Sequence, residues 1–239
     1  MPKAEIRLEP QDRFAVVLAR PESLENIGLV ARAMKNTGFR HLRVVGRKKL
    51  EIACPRTAVH AREIVRQAQF FSELGEAVAD LQVVFASTAK ARKNFSALSF
   101  DEAVTKMLSL RPPARVALLF GNERTGLTSE ELRSSNFRYS IPQASRQPSY
   151  NLSAAVLLTL FELFRRRLEG QAESAFPARE PPLSRKEQEE CVGLIVEKLE
   201  EREFIHRTNK RHTTEMIHDL FGRLTMTDRD RRLLLAIFS

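Results

Sequence analysis

At 239 residues the chain is long enough for one sizeable α/β domain with a small appendage, and long enough to bury a real core. Its 39 Lys and Arg against 30 Asp and Glu give a net charge of +9, which favours a polyanionic partner through attraction to phosphates and counterion release, with a plain solvated basic surface as the alternative. The 2 cysteines, Cys54 and Cys191, show no CxxC spacing, which argues against a disulfide framework or zinc site, and the polar N-terminus and lack of an apolar run of about 18 residues argue against a signal peptide or membrane span, so a soluble cytoplasmic protein is expected.

Phe14 to Leu18 (FAVVL) is a continuous apolar run, suited to a strand buried on both faces of a parallel sheet. From Asn26 to Thr37, the residues Ile27, Val30, Ala31 and Met34 fall at helical spacing, and Gly38 closes the segment as a C-terminal glycine should. A second short strand, HLRVVG, follows. The pattern repeats with a strand at Leu81 to Ser87, a helix near Phe100 to Leu110, and a strand at Arg115 to Gly121. Strands alternating with helices predict a mostly parallel sheet with ligands at the strands' carboxyl ends. After the short strand FRYSIP comes the polar loop QASRQPSYN, then a long helix from Leu152 to Leu168.

Residues Gln171 to Pro182 carry three prolines and read as a linker. Beyond it, Ser184 and Glu187 form a capping box ahead of a helix with an apolar stripe of Cys191, Leu194, Ile195, Val196 and Leu199. Two shorter helices are expected, one capped by Thr213 and bearing Ile217, Leu220 and Phe221, the other capped by Thr227 and bearing Leu233, Leu234 and Ile237.

The stretch LLFGNERTGL has two glycines at the end of a strand, yet Leu127 follows Gly126 where a phosphate-binding loop needs Lys and then Ser or Thr. No strand is followed by GxGxxG, so a dinucleotide-dependent enzyme scores low. His206 and His212 stand six apart with no acidic or cysteine partner, so no metal site is expected. The cluster Arg40, Arg43, Arg47, Lys48 and Lys49 is read either as a track for RNA backbone or as a solvated face. Lys90, Arg92 and Lys93 follow the strand that ends in Ser87, close enough to the predicted pocket to hold substrate phosphates.

Three motifs lie beside expected strand ends: NIGLVARAMKNTG (Asn26 to Gly38), LLFGNERTGL (Leu118 to Leu127) and IPQASRQPSYNLSAAV (Ile141 to Val156). In order, spacing and strand context they resemble the three motifs of the SpoU/TrmH branch of the SPOUT methyltransferases, over most of Arg13 to Leu168. The chain is most similar to the TrmJ-like tRNA ribose methyltransferases, which also carry a helical C-terminal extension. The resemblance implies a knotted methyltransferase domain over 1–170, a linker over 171–183 and a helical, RNA-contacting extension over 184–239. Within the first it implies a deep trefoil knot, an S-adenosylmethionine pocket built from three knot loops, and an obligate homodimer.

The activity so implied is S-adenosylmethionine-dependent methylation of a ribose 2′-hydroxyl in structured RNA, with the tRNA anticodon loop favoured. Ribosomal RNA methylation by the same family, or a catalytically silent knotted RNA-binding protein, stay open. Carried over by motif position, the donor pocket involves Ser87, Thr88, Ala89, Gly121, Glu123, Ile141, Pro148, Ser149 and Tyr150. Gly121 is expected to leave backbone bare for the adenosine. Glu123 matches the family's GxE acid and reads equally as a loop carboxylate. Arg32, six residues after Asn26, matches the catalytic arginine that holds the target phosphate or stabilises the developing alkoxide. Asn26 orients that site, and Ser149 and Asn151 position substrate and donor, with Tyr150 replacing the family leucine between them.

Overall fold

The computed structural model describes residues 12–47, 56–89, 97–111, 113–144, 150–168, 181–205 and 210–238. Seven parallel strands form one sheet in the order β3-β2-β1-β6-β4-β7-β5. They are β1 (Phe14–Ala19), β2 (His41–Val45), β3 (Gln69–Phe71), β4 (Val83–Ser87), β5 (Leu98–Ser99), β6 (Val116–Phe120) and β7 (Phe137–Ser140). The run read as the first strand is buried at every position. Its side chains alternate between two cores: Phe14, Val16 and Leu18 enter one, and Ala15, Val17 and Ala19 the other. That division is why the strand reads as continuously apolar.

One face is covered by α1 (Leu24–Thr37), α2 (Arg62–Gln67), α4 (Phe100–Ser109) and α6 (Leu152–Leu168), and the other by α3 (Leu74–Val78) and α5 (Ser129–Arg133). Ser23 caps α1 by accepting from the Asn26 N–H, and Gly38 ends it in the left-handed conformation, φ 81°. These two signals fix where the first motif begins and stops.

Two sequence expectations change here. In the basic cluster, Arg43 is buried and forks onto Asp80 while also donating to the Ala77 carbonyl. Arg47 donates to the carbonyls of Pro21 and Glu22. Both brace the fold and are not available to RNA backbone, because period-2 alternation turns Arg43 toward α3. Lys48 and Lys49 lie outside the described residues.

The C-terminal helices are α7 (Arg185–Glu201), α8 (Lys210–Gly222) and α9 (Asp228–Phe238). The capping box at Ser184 and Glu187 forms with both of its hydrogen bonds, and Thr227 caps α9 by accepting from the Asp230 N–H. Thr213 lies inside α8, which begins three residues earlier, and so is no cap. Leu194 is exposed and the stripe runs instead through Cys191, Val192 and Ile195. The expected linker overlaps 171–180, outside the described residues, while Pro182 forms a bridge with Thr227.

This helical unit has its own apolar core and docks on the sheet domain through polar groups. The Arg185 N–H donates to the Leu81 carbonyl at 2.8 Å, the Asn136 side-chain amide to the Leu224 carbonyl at 3.0 Å, and the Arg185 guanidinium to the Arg133 carbonyl at 3.2 Å. Among the described residues, the two sheet-domain cores draw none from beyond Leu163. A chain ending at Ala178 is therefore expected to fold and stay soluble, with a melting temperature lowered by roughly 5–10 °C for the loss of a few buried hydrogen bonds. Thermal melts of the two lengths check this, and an aggregated short form would mean that the helices complete the core.

Candidate active site

A cleft of about 750 Å³, counted with its open mouth, lies at the carboxyl ends of the neighbouring strands β4, β6 and β7. That is where a parallel sheet offers main-chain groups to a ligand. Its lining takes in Ser87, Thr88 and Ala89 after β4, Gly121 and Glu123 after β6, and Ile141 and Tyr150 around the third motif. The Thr88 N–H donates to the Tyr139 carbonyl at 2.9 Å and holds the first segment against the last. Pro148, Ser149, Lys90, Arg92 and Lys93 fall outside the described residues. The Tyr150 hydroxyl donates to the Pro142 carbonyl at 2.9 Å. It ties the two described ends of the third motif's loop together, which the family leucine has no means to do.

The turn after β6 is built on Asn122, whose buried side-chain oxygen accepts from the N–H groups of Arg124 and Thr125, both at 3.0 Å. Its amide donates to the Arg20 carbonyl at 2.8 Å. Gly126 then closes the turn with φ 68° and a hydrogen bond from its N–H to the Asn122 carbonyl. Gly121 lies beneath that closure. A Cβ placed on it would stand 2.4 Å from the carbonyl carbon of Gly126 and the nitrogen of Leu127. The loop's own backbone already needs the space a side chain would take, which is a reason for glycine here apart from any ligand, and Gly121 still lines the cleft.

Glu123 draws the motifs together. One carboxylate oxygen accepts from the Glu22 N–H at 2.8 Å, and the other from the Ser23 N–H at 3.1 Å and the Asn26 side-chain amide at 2.9 Å. The Asn26 oxygen in turn accepts from the Asn151 amide at 3.2 Å, and the Asn151 oxygen accepts from the N–H of Ser153 in the first turn of α6. Burial pushes the Glu123 carboxyl upward, but the Glu22 N–H, the Asn26 amide and the Ser23 N–H outweigh it and hold the group below the ordinary carboxylate range. It is an ionised clamp rather than a proton carrier.

Arg20 grips the same loop from the other side. It adopts a left-handed φ of 51°, forks onto Glu131 at 2.8 and 2.7 Å, and reaches the Gly126 carbonyl. Such a conformation costs about 1–3 kcal/mol and persists only where partners over-determine it.

A depressed folded-state pKa stabilises above the unfolded value and is lost as pH falls through the folded one. Ligand binding to the cleft should therefore weaken only below the ordinary carboxylate range. Glu123→Gln should remove that acid limb and lower stability by about 1–3 kcal/mol, since its amide faces main-chain donors. Calorimetric titration of S-adenosylhomocysteine across pH checks the acid limb, and a ligand-free thermal melt checks the stability.

Arg32 is exposed on α1 and, among the described residues, has no hydrogen-bond or ion-pair partner. Six residues of helix turn it about 120° away from Asn26 and carry it about 9 Å along the axis. Asn26 therefore belongs to the clamp, and Arg32 to a free face. Sequence reasoning missed Arg20, Asn122, Arg124 and Leu152. Only Asn122 carried a local signal, an asparagine two and three residues ahead of the N–H groups it caps. Among the described residues, no His, Cys, Asp and Glu gather in a metal-binding group and no helix is long and apolar enough to cross a membrane.

The SpoU rRNA Methylase family model matches residues 13–161. A tRNA (cytidine-2′-O-)-methyltransferase TrmJ from Methanocaldococcus jannaschii is 33% identical over 219 residues, covering 88% of this chain and 90% of the relative. The crystal structure of TrmJ from Z. mobilis ZM4 superposes with a TM-score of 0.76 at 26% identity, over 97% of this chain and 98% of that one. The SpoU methyltransferase AviRb from Streptomyces viridochromogenes, solved in complex with AdoMet, shares the fold at 22% identity with a TM-score of 0.50, over 69% of this chain and 64% of that one.

Proposed function

The chain belongs to the SpoU rRNA methylase family, and from that membership we propose that it methylates a ribose 2′-hydroxyl of tRNA, in the anticodon loop, with S-adenosylmethionine as donor. The observation that carries this reading is the hydrogen-bonded chain Glu123–Asn26–Asn151, which joins all three motifs beside one cleft. The lining fits the donor: apolar walls at Phe120, Leu127, Ile141 and Leu152 suit an adenine, and the strand ends offer main-chain groups around it.

S-adenosylmethionine supplies an electrophilic methyl carbon on a sulfonium. The chain's own work is on the acceptor, a weakly acidic hydroxyl that must shed its proton as it attacks, and Arg32 stabilises the oxygen as charge develops there. Asn26 and Asn151 act by holding the loops in register, so they are positioning residues. Ser149 completes the third motif beside Tyr150, and Lys90, Arg92 and Lys93 follow β4 as contacts for RNA phosphates.

The domain plan is a methyltransferase unit over 1–170 and an RNA-contacting extension over 184–239. The methyltransferase unit is read as knotted, a reading supported by the pairing of β7 with both β4 and β5 and by the packing of the helix after β7 on α1 and α4. The protein works as a homodimer. Helices α1 and α6 pack together and both expose apolar side chains, Leu29 on one and Leu157, Leu158 and Phe161 on the other, with Phe161 51% exposed. A second copy covering that face brings Arg32 to the boundary between protomers.

The test is incubation of the purified protein with tritium-labelled S-adenosylmethionine and either tRNA or ribosomal RNA, followed by mapping of 2′-O-methyl groups. Label confined to tRNA riboses is expected. Label on ribosomal RNA alone, on a base, or on nothing overturns the reading.

A further inference from the structure

We propose that Arg124 is a substrate-binding residue that grips the phosphate on the 3′-oxygen of the target nucleotide, an inference that rests on the tRNA reading above. Among the described residues that line the cleft, Arg124 is the one cation. Its side chain is 78% exposed, and among the described residues its guanidinium meets only Glu22, itself half exposed, at 3.6 Å. An ion pair that long and that wet is worth about 0–1 kcal/mol, so an incoming anion displaces it readily. The backbone beneath is fixed: the Arg124 N–H is held by Asn122, and Asn122 is anchored to the Arg20 carbonyl. The charge therefore projects from a rigid turn at the edge of the cleft.

Two anions can reach such a site, the carboxylate of the donor's methionine and an RNA phosphate. Charge favours the phosphate. The donor carries a sulfonium and an ammonium against one carboxylate, a net positive charge that an arginine in the same cleft repels. The acceptor is the reverse. The reacting 2′-oxygen sits next to the 3′-oxygen, which bears a phosphate, so a nucleotide placed for methyl transfer at this cleft carries that phosphate to its rim. A guanidinium binds two of its oxygens at once. The contact reads no base, and so gives register along the strand rather than sequence preference.

The test measures tRNA binding by fluorescence anisotropy across salt concentration for wild type, Arg124→Ala and Arg124→Lys, beside calorimetry with S-adenosylhomocysteine. It adds an anticodon-loop RNA carrying one neutral methylphosphonate 3′ to the mapped nucleotide. Arg124→Ala is expected to weaken tRNA roughly tenfold and reduce the salt slope by about one, with S-adenosylhomocysteine affinity unchanged and Arg124→Lys restoring part of the loss. The methylphosphonate should weaken wild type by a similar factor and leave Arg124→Ala unaffected.

An unchanged slope overturns the proposal, and so does a tenfold loss of S-adenosylhomocysteine affinity with tRNA binding intact, which would assign the arginine to the donor. Additive losses from the substitution and the methylphosphonate would assign it to another phosphate and overturn the proposal as stated. The anisotropy and calorimetry comparisons of wild type with Arg124→Ala are binding readouts that need no mapped nucleotide, so an absence of methyl transfer in wild type sinks the activity reading without touching them.

Discussion

Arg32→Ala is expected to lower methyl transfer by roughly a hundredfold or more while leaving donor affinity within a few fold. The first half follows from charge: a 2′-hydroxyl attacks only as it becomes an alkoxide, and removing the guanidinium proposed to stabilise that oxygen costs about 3 kcal/mol or more of barrier. The second half follows from geometry. Arg32 stands on the exposed side of α1, about 120° around the helix from Asn26, and does not line the cleft. Because it has no partner among the described residues to leave stranded, the variant should also melt with the wild type. Rates under single-turnover conditions, S-adenosylhomocysteine titration and a thermal melt read the three quantities apart. Near-normal turnover would remove Arg32 from the chemistry, and a large loss of donor affinity would move it into the donor site.

The elements legible in the sequence are those long enough for periodicity to repeat. Leu152–Leu168 has the bounds expected from its pattern, and β1 differs by the single residue Ala19. Missed were β3, α3 and β5, at 3, 5 and 2 residues, and the short helices α2 and α5, at 6 and 5. Each is too short for its period to repeat and exists because its neighbours supply hydrogen bonds and cover. Thr213 failed as a cap because a threonine three residues into a helix looks, in sequence, like one that begins it.

The site divides in the same way. The positions of Gly121, Glu123 and Tyr150 in the motifs, and of Ser87 at a strand end, were readable, but their division of labour was not. That Asn26 donates to Glu123 and accepts from Asn151 depends on contacts between residues 97 and 125 positions apart, which no local pattern encodes. Arg43 shows the opposite error. A basic residue among others reads as surface until the sheet turns it inward onto Asp80.

Gly121→Val should abolish donor binding and also lower the melting temperature, and the coupling of the two follows from the loop's construction. An added Cβ meets the Gly126 carbonyl carbon and the Leu127 nitrogen at 2.4 Å and the Gly126 oxygen at 2.9 Å. All three are backbone atoms, so no side chain can swing aside to relieve the overlap. The turn must open. Opening it pulls Gly126 from its hydrogen bond with Asn122 and from the Arg20 guanidinium, and displaces the main chain from which Glu123 reaches Glu22, Ser23 and Asn26. Gly121→Ala makes the same overlap with one carbon, so it should fail nearly as badly, whereas a residue excluded only by a bound ligand would tolerate alanine better than valine. Losing several of these hydrogen bonds should cost about 2–4 kcal/mol, or roughly 5–15 °C in a chain of this length. Calorimetric titration with S-adenosylhomocysteine beside a ligand-free melt gives both numbers on one sample. A variant that binds normally would remove the loop from the donor site. One that melts normally but cannot bind would return Gly121 to the role of a bare ligand contact, with the turn able to absorb the added carbon.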